Sequence, residues 1–496
     1  MEDDGNDHVN YLLCNSFFQE AETDALGGIT KFKMHDLVFD LANSLSRVDI
    51  VTVGFKDLKN SSDALHLRLY TNGEIEHLSF VDEDDVVEGL RSHPNLKQLS
   101  IENFGGDNLP RWMMSGCEFS ITNLVLLNLE KCQRLEHVPP LGQLPSLKIL
   151  CLKGTKRMKS LGSDFYHGDG SNSTQASLTT TAFPSLEELS LQSLPSLEEW
   201  MEPQGSFPSF PCLEWIFVED CPKLVTMPSR FPSLKILHII RSNGILLRLV
   251  VEVLSLIELY IIEVSEVKFL PKGILDNNIK ELHIENCPNL EAIIMPSEES
   301  LLQVLPSSLE MLLVSQCPSL VSFPDLRGLH SIRNFCFPRN EKITRLPEGL
   351  HTLHTLELLS IGGFSSELES FPDLEPLQRL SSLRNLHIFG WSKLTSPPEQ
   401  LQSLTQLESL GINKFHSVTT LPEWLENLSL LRILSLEECN NLMYLPKVEG
   451  MRCFTALRKL TIRNCSILKE RCSRGRGEEW PKIKHIQNIQ IDCQYV

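Results

Sequence analysis

The sequence predicts an α/β repeat solenoid, in which short parallel strands stack along one curved axis and each is followed by a returning loop. Two observations carry this. The first is a template: Leu309, Leu312, Val314, Cys317, Leu320, Phe323 and Pro324 stand at offsets 0, 3, 5, 8, 11, 14 and 15. The second is its return, at Leu213, Ile216, Val218, Cys221, Leu224, Met227 and Pro228, and again from Ile332 to Pro347. Further copies start at Leu383, Leu407 and Leu431, and partial ones at Leu96, Leu124, Leu147, Leu186, Leu234, Leu256, Ile279, Leu356 and Leu457. About fifteen units follow at a spacing of roughly 26 residues, inside the 20–29 window of leucine-rich repeats.

Each part of the unit has a physical reason. In Leu-x-x-Leu-x-Leu the last two apolar residues share one face of a strand, because side chains alternate with period two. Stacked neighbours then form one parallel, concave sheet, with the leucines sealed between sheet and returning loop. The residue at offset 8 turns the chain, and Leu-Pro closes the loop where no ladder hydrogen bond is needed. Strands about 4.8 Å apart would carry fifteen units over roughly 70 Å. No repeat has a core of its own, so stability is a sum of neighbour interfaces.

Composition excludes several function classes. Of 496 residues, 42% are hydrophobic and 22% charged, which is globular. Asp and Glu total 64 against 45 Lys and Arg, and a net charge of −19 repels phosphate backbones, so no nucleic acid partner is expected. The basic stretch from Lys469 to Lys484 is interleaved with Glu470, Glu478 and Glu479 and reads as a solvated terminus. The longest apolar run, 244–262, holds Arg248, Glu252 and Glu258, each costing about 2.5–3.5 kcal/mol near a bilayer centre. Leu256, Leu259, Ile261, Val264 and Val267 fit the template there, so no membrane span is expected. The acidic start MEDDGNDHVN lacks the features of a signal peptide, which points to a cytoplasmic protein. Cys132, Cys221, Cys287, Cys317, Cys439 and Cys465 share offset 8 and read as packed, reduced thiols rather than metal ligands. No Gly-x-Ser-x-Gly, His-Glu-x-x-His or phosphate loop is present, and the chain reads as a non-enzyme.

The domain plan has three parts. Residues 93–496 are the solenoid, interrupted at 163–181 by a polar, Gly/Ser/Thr-rich segment expected to be a mobile insertion. Residues 51–92 form an irregular connector with one possible first repeat at Ile75, Leu78 and Phe80. Residues 1–50 belong to something else. There Met34-His35-Asp36 precedes Leu37, Leu41 and Leu45, an i, i+4, i+8 stripe that predicts an amphipathic helix capped by Asp36. Val9, Leu12, Leu13 and Phe17 suggest a second short helix, and the pair is too small to fold alone.

Partner binding is expected on the concave sheet, where outward residues form stacked rows. At offset 4, four successive units supply Phe217, His238, Tyr260 and His283, with Trp215 at offset 2 beside Phe217. Exposed aromatics in the middle of a concave face suit an interaction hot spot, or they stack on one another to stabilise the sheet. His238 and His283 sit two strands apart, near 10 Å, which disfavours a metal.

Asn10-Tyr11-Leu12-Leu13, Ser16-Phe17-Phe18-Gln19, Phe32-Lys33-Met34-His35-Asp36-Leu37-Val38 and Asp40-Leu41-Ala42 resemble the end of a winged-helix domain. The family is that of plant nucleotide-binding leucine-rich-repeat disease resistance proteins, of the coiled-coil class. Leu109-Pro110-Arg111-Trp112, Phe183-Pro184-Ser185-Leu186 and Glu478-Glu479-Trp480-Pro481 are similar to stretches of its repeats. The resemblance implies a winged-helix remnant over 1–50 and an innate immune receptor that senses pathogen effectors or guarded host proteins. It also implies that His35 of Met34-His35-Asp36 approaches an ADP phosphate in the intact family, and that the repeats restrain the receptor's own nucleotide-binding domain. With no phosphate loop, no cofactor is expected in this chain, which reads as a truncated product. A second reading is the substrate adaptor of a ubiquitin ligase, although no F-box segment is visible.

Overall fold

The computed structural model describes residues 18–23, 29–34, 50–54 and 66–70 as strands, and residues 96–495 except 108, 110–120, 167–180, 203–208, 250, 252, 272, 277, 296–304 and 493. From Gln98 onward the strands fall where the template puts them, as in Trp215–Glu219, Ile236–Ile240, Glu258–Ile262, Glu281–Glu285 and Met311–Ser315. Burial alternates along each, and the two inward residues, such as Ile216 with Val218 and Leu312 with Val314, are fully covered. Parallel pairing keeps these residues in line: Ile216, Leu237, Leu259, Leu282, Leu312 and Phe335 form one column through six strands. Each buried Leu or Ile contributes about 1.5–3 kcal/mol, and none does so without its neighbour repeat.

The ladder runs strand to strand from Ile50–Gly54 to Asn488–Ile491, where Gln494–Tyr495 folds back antiparallel. Among the described residues no register pairs that last strand with the first, so the sheet is a two-ended horseshoe.

The turn after most strands has one conformation. At offset 7 the backbone enters the left-handed region on ordinary residues, with φ of 52° at Asp220, 45° at Arg241, 55° at Glu263 and 57° at Asn286. That conformation costs an L-residue roughly 1–2 kcal/mol. It is offset by a bond to the next repeat: the amide of Asp220 donates to the Ile240 carbonyl at 3.0 Å, and that of Arg241 to Ile262 at 2.9 Å. At offset 8 the thiols of Cys221, Cys287, Cys439 and Cys465 donate back to carbonyls of the previous strand at 3.5–3.7 Å. Burial pushes the Cys132 thiol up to about 11 and Cys221 to about 12, so both stay protonated donors. Small parallel bridges such as Ser160–Leu161 with Glu199–Trp200 and Thr420 with Tyr444 tie the returning loops together.

Two departures concern the domain plan. The 163–181 segment does not begin as a mobile insertion, because Ser163–Tyr166 is a helical turn with Phe165 and Tyr166 buried. Phe165 packs 4.8 Å from Phe183, and the Tyr166 hydroxyl donates to the Met201 carbonyl and accepts from Trp200 Nε1, both at 2.8 Å. Two aromatics in a polar stretch were enough to anchor it; residues 167–180 lie outside the described residues. Residues 51–92 are likewise not wholly irregular, since Ile50–Gly54 and His66–Tyr70 join the main sheet in register with Gln98–Glu102. These strands start 16 and 32 residues apart rather than roughly 26, which hid them from a periodic template. The proposed unit at Ile75, Leu78 and Phe80 lies outside the described residues.

Near the N-terminus, Phe18–Thr23 pairs antiparallel with Ile29–Met34. Met34 ends that strand, while His35, Asp36 and the two helices read from the sequence lie outside the described residues.

Candidate functional site

The registers bring Phe217, His238, Tyr260 and His283 together on four adjacent strands, followed by Leu313. Their ring centroids are 5.5, 4.1 and 4.2 Å apart in turn, and Trp215 lies 6.1 Å from Phe217 and 5.9 Å from His238. All five side chains are half-buried rather than fully open, because each ring shields the next. Stacking covers part of each ring and leaves the rest exposed.

Burial sets the electrostatics. His238 is pushed down to about 4, first by desolvation and then by His283. His283 is lowered by desolvation too, against the pull of Glu281, whose carboxylate lies 3.5 Å from Nε2. Near neutral pH the row is therefore an uncharged aromatic ridge. The Tyr260 hydroxyl lies 3.3 Å from Glu258 Oε2 and 3.4 Å from Glu281 Oε2, a donor shared between two acceptors. Burial and these carboxylates raise its phenol. Burial also raises Glu258, and the neighbouring Glu281 adds to the shift. Trp215 Nε1 is covered and has no hydrogen-bond partner, a cost carried within the ridge.

Glu258 and Glu281 were missed in the sequence. Offset 2 shares the outward face with offset 4, and reading that row beyond Trp215 would have found them. A second missed feature runs along the strand entrances, where Lys148 meets Glu187 at 2.7 Å, Lys235 meets Glu214 at 2.6 Å and Lys280 meets Glu310 at 2.8 Å. Arg333 with Glu357 and Arg432 with Glu408 continue the ladder. Such exposed pairs add little stability, but they occupy the cations along this edge. Among the described residues no group of three metal-ligating side chains converges, and no helix is long and apolar enough to cross a membrane.

The structure is a leucine-rich-repeat solenoid with an aromatic ridge on the outward face of its sheet. Comparison with known proteins shows what the chain is similar to. The model for R13L1/DRL21 leucine-rich repeats matches residues 39–155 and 398–465, and that for the disease resistance protein winged helix domain matches residues 1–42. The putative disease resistance RPP13-like protein 1 of Arabidopsis thaliana is 30% identical over 270 residues, covering 53% of this chain and 24% of that protein. The putative disease resistance protein RGA1 of Solanum bulbocastanum is 29% identical over 214 residues, covering 42% of this chain and 20% of that one. The chain is thus similar to plant disease resistance proteins both in its leucine-rich repeats and in its first 42 residues. It spans about a quarter or less of the length of these relatives. Among solved structures, the TLR13–ssRNA13 complex aligns with a TM-score of 0.51 at 16% identity over 88% of this chain and 62% of that one, a likeness of fold alone.

Proposed function

We propose that this chain is the recognition and autoinhibition module of a cytoplasmic plant immune receptor of the coiled-coil class. Its concave sheet binds a protein, either a pathogen effector or a host protein that the receptor guards. The observation that carries the reading is the ridge of Trp215, Phe217, His238, Tyr260 and His283, half-exposed in the middle of the sheet. Aromatic side chains on such a face supply large contact area at small entropic cost. The module is non-enzymatic. In a receptor that also carries the nucleotide-binding core, Met34-His35-Asp36 would face ADP, with His35 toward its phosphate, and the repeats would hold that core inactive.

The test is a partner screen with the wild-type chain, followed by the triple variant Trp215→Ser, Phe217→Ser and Tyr260→Ser. Binding should fall steeply, since truncating a hot-spot aromatic costs about 2 kcal/mol or more. Each lost ring pair should cost the fold only about 0.5–1.5 kcal/mol, read in a thermal melt. Unchanged binding would leave the ridge with a purely structural role.

A further inference from the structure

The charge ladder at the strand entrances breaks at the C-terminal end. Every cation of that row from Lys148 to Arg432 meets a carboxylate one strand away, with Arg384 and Arg432 sharing Glu408 at 3.9 and 3.0 Å. Arg458 comes next. Its amide and that of Lys459 donate to the Arg432 carbonyl at 2.9 and 3.0 Å, which sets two cations at neighbouring entrances. The strand beyond is entered by Gln487 and Asn488, so no acid follows, and Lys484 just before it adds another charge. Arg458 and Lys484 are exposed and Lys459 is half-exposed, and among the described residues no ion pair reaches any of the three. Lys97, at the other end of the row, also lacks a carboxylate, but it stands beside Val125 rather than a second cation. The excess belongs to the whole C-terminal end. Residues 447–492 hold 11 Lys and Arg against 5 Asp and Glu, in a chain of net charge −19. Three of those five acids are engaged, Asp492 with Lys469 at 2.6 Å, Glu478 with Arg471 at 2.5 Å and Glu479 with Lys482 at 2.7 Å.

We propose that Arg458, Lys459 and Lys484 are a docking site for an acidic segment of a protein partner, whose carboxylates continue the ladder where the chain's own stop. The site is separate from the aromatic ridge, because Lys459–Arg463 lies seven strands beyond Glu281–Glu285. Charge complementarity selects an anion, and the rest of the row shows that a carboxylate is what satisfies a cation in this position. The Arg458 guanidinium can grip a carboxylate through two parallel N–H donors, while the two ammonium groups act as point charges beside it. Short acidic motifs are bound by such basic clusters elsewhere. A longer polyanion fits less well. A membrane surface or a nucleic acid strand running past this end would also approach the acidic remainder of the chain, which repels it over a Debye length of about 8 Å. A short acidic segment seats on the basic end alone.

The experiment titrates the full chain into fluorescein-labelled octaglutamate at physiological ionic strength and reads anisotropy. The triple variant Arg458→Gln/Lys459→Gln/Lys484→Gln should lose about tenfold in affinity. A control of equal charge change on exposed lysines near the other end, Lys97→Gln/Lys156→Gln/Lys159→Gln, should lose less than about twofold. Equal losses in the two variants, or no binding by wild type, overturns the site. The glutamine variant should melt with wild type, and Arg458→Lys/Lys459→Arg, which keeps both charges, should keep most of the affinity. A charge-preserving variant as weak as the glutamine one would also overturn the site. In competition, unlabelled octaglutamate should displace the probe better than oligothymidylate of equal charge or vesicles of mixed phosphatidylcholine and phosphatidylserine. Stronger displacement by either would assign this end to that polyanion and refute an acidic protein segment. The ridge variant Trp215→Ser/Phe217→Ser/Tyr260→Ser should bind octaglutamate as wild type does, so failure of this site leaves the concave reading untouched.

Discussion

The amide of Cys317 donates a hydrogen bond to Asn340 Oδ1 at 2.9 Å, and this one bond joins the turns of two successive repeats. Asn340 sits at the same offset in its unit as Cys317 in the previous one, and its Nδ2 donates to the carbonyls of Val314 at 2.8 Å and Phe337 at 3.0 Å. The side chain is fully buried and satisfies backbone groups on both sides of the boundary. Elsewhere Ser242 does part of this, accepting from the Cys221 amide at 3.0 Å and donating to the Ile240 carbonyl at 2.8 Å. The solenoid is stitched by side chains at offset 8 as well as by its leucines.

Asn340→Ala should therefore cost about 2–4 kcal/mol, because it strands buried backbone groups without enlarging any apolar contact. Asn340→Cys should recover part of the loss, since a thiol there can donate to the previous strand as Cys287 and Cys439 do. Urea denaturation midpoints compare the two. Equal losses would mean that the inter-repeat bonds are not what Asn340 provides.

Leu312→Asp should be more severe. Leu312 is fully buried in the column between Leu282 and Phe335, and an unpaired carboxylate there costs about 3 kcal/mol or more. Local melting should spread to adjacent units. Circular dichroism and limited proteolysis report the outcome, and an unchanged digestion pattern would mean that this register is wrong.

At the C-terminal end, Glu479 is buried, accepts the Leu445 amide at 2.9 Å and pairs with Lys482 at 2.7 Å, while Lys482 donates to the Leu445 carbonyl at 3.1 Å. Arg471 caps the same corner over the ring of Tyr444 at 4.5 Å. Glu479→Ala should loosen the last repeats by about 2 kcal/mol or more, and Glu479→Gln by less because it keeps an acceptor for Leu445. Hydrogen exchange should quicken over 445–492 and stay unchanged over 213–312. A uniform change along the chain would argue against a local cap.

The ridge should also make stability fall in mild acid. His238 titrates near 6.5 when unfolded and about 4 when folded, so below 6.5 the unfolded chain takes up a proton that the native state refuses. Stability is then lost from pH 6.5 down to about 4, and is flat in this residue above 6.5. Glu258, whose folded value is raised, works in the opposite sense at the acid end. In His238→Phe the decline should be shallower than in wild type. Parallel stability profiles for the two proteins would show that His238 is not held neutral.

The apolar periodicity alone determined which residues face inward. Leu312 with Val314 and Ile216 with Val218 are legible because strand alternation is local, and because a spacing repeated about fifteen times leaves few alternatives. The same logic placed Phe217, His238, Tyr260 and His283 in one row. It failed where the spacing failed, at Ile50–Gly54 and His66–Tyr70, and where two aromatics in a polar segment, Phe165 and Tyr166, outweighed the composition around them. Tertiary structure decided what one repeat does to the next. The left-handed turns at Asp220 and Arg241, the bond from Cys317 to Asn340, and the juxtaposition of Glu258 with Glu281 all join residues about one full repeat apart. No single unit encodes them. They arise because a repeat without its own core must hand its backbone hydrogen bonds, and the charges on its open face, to its neighbour.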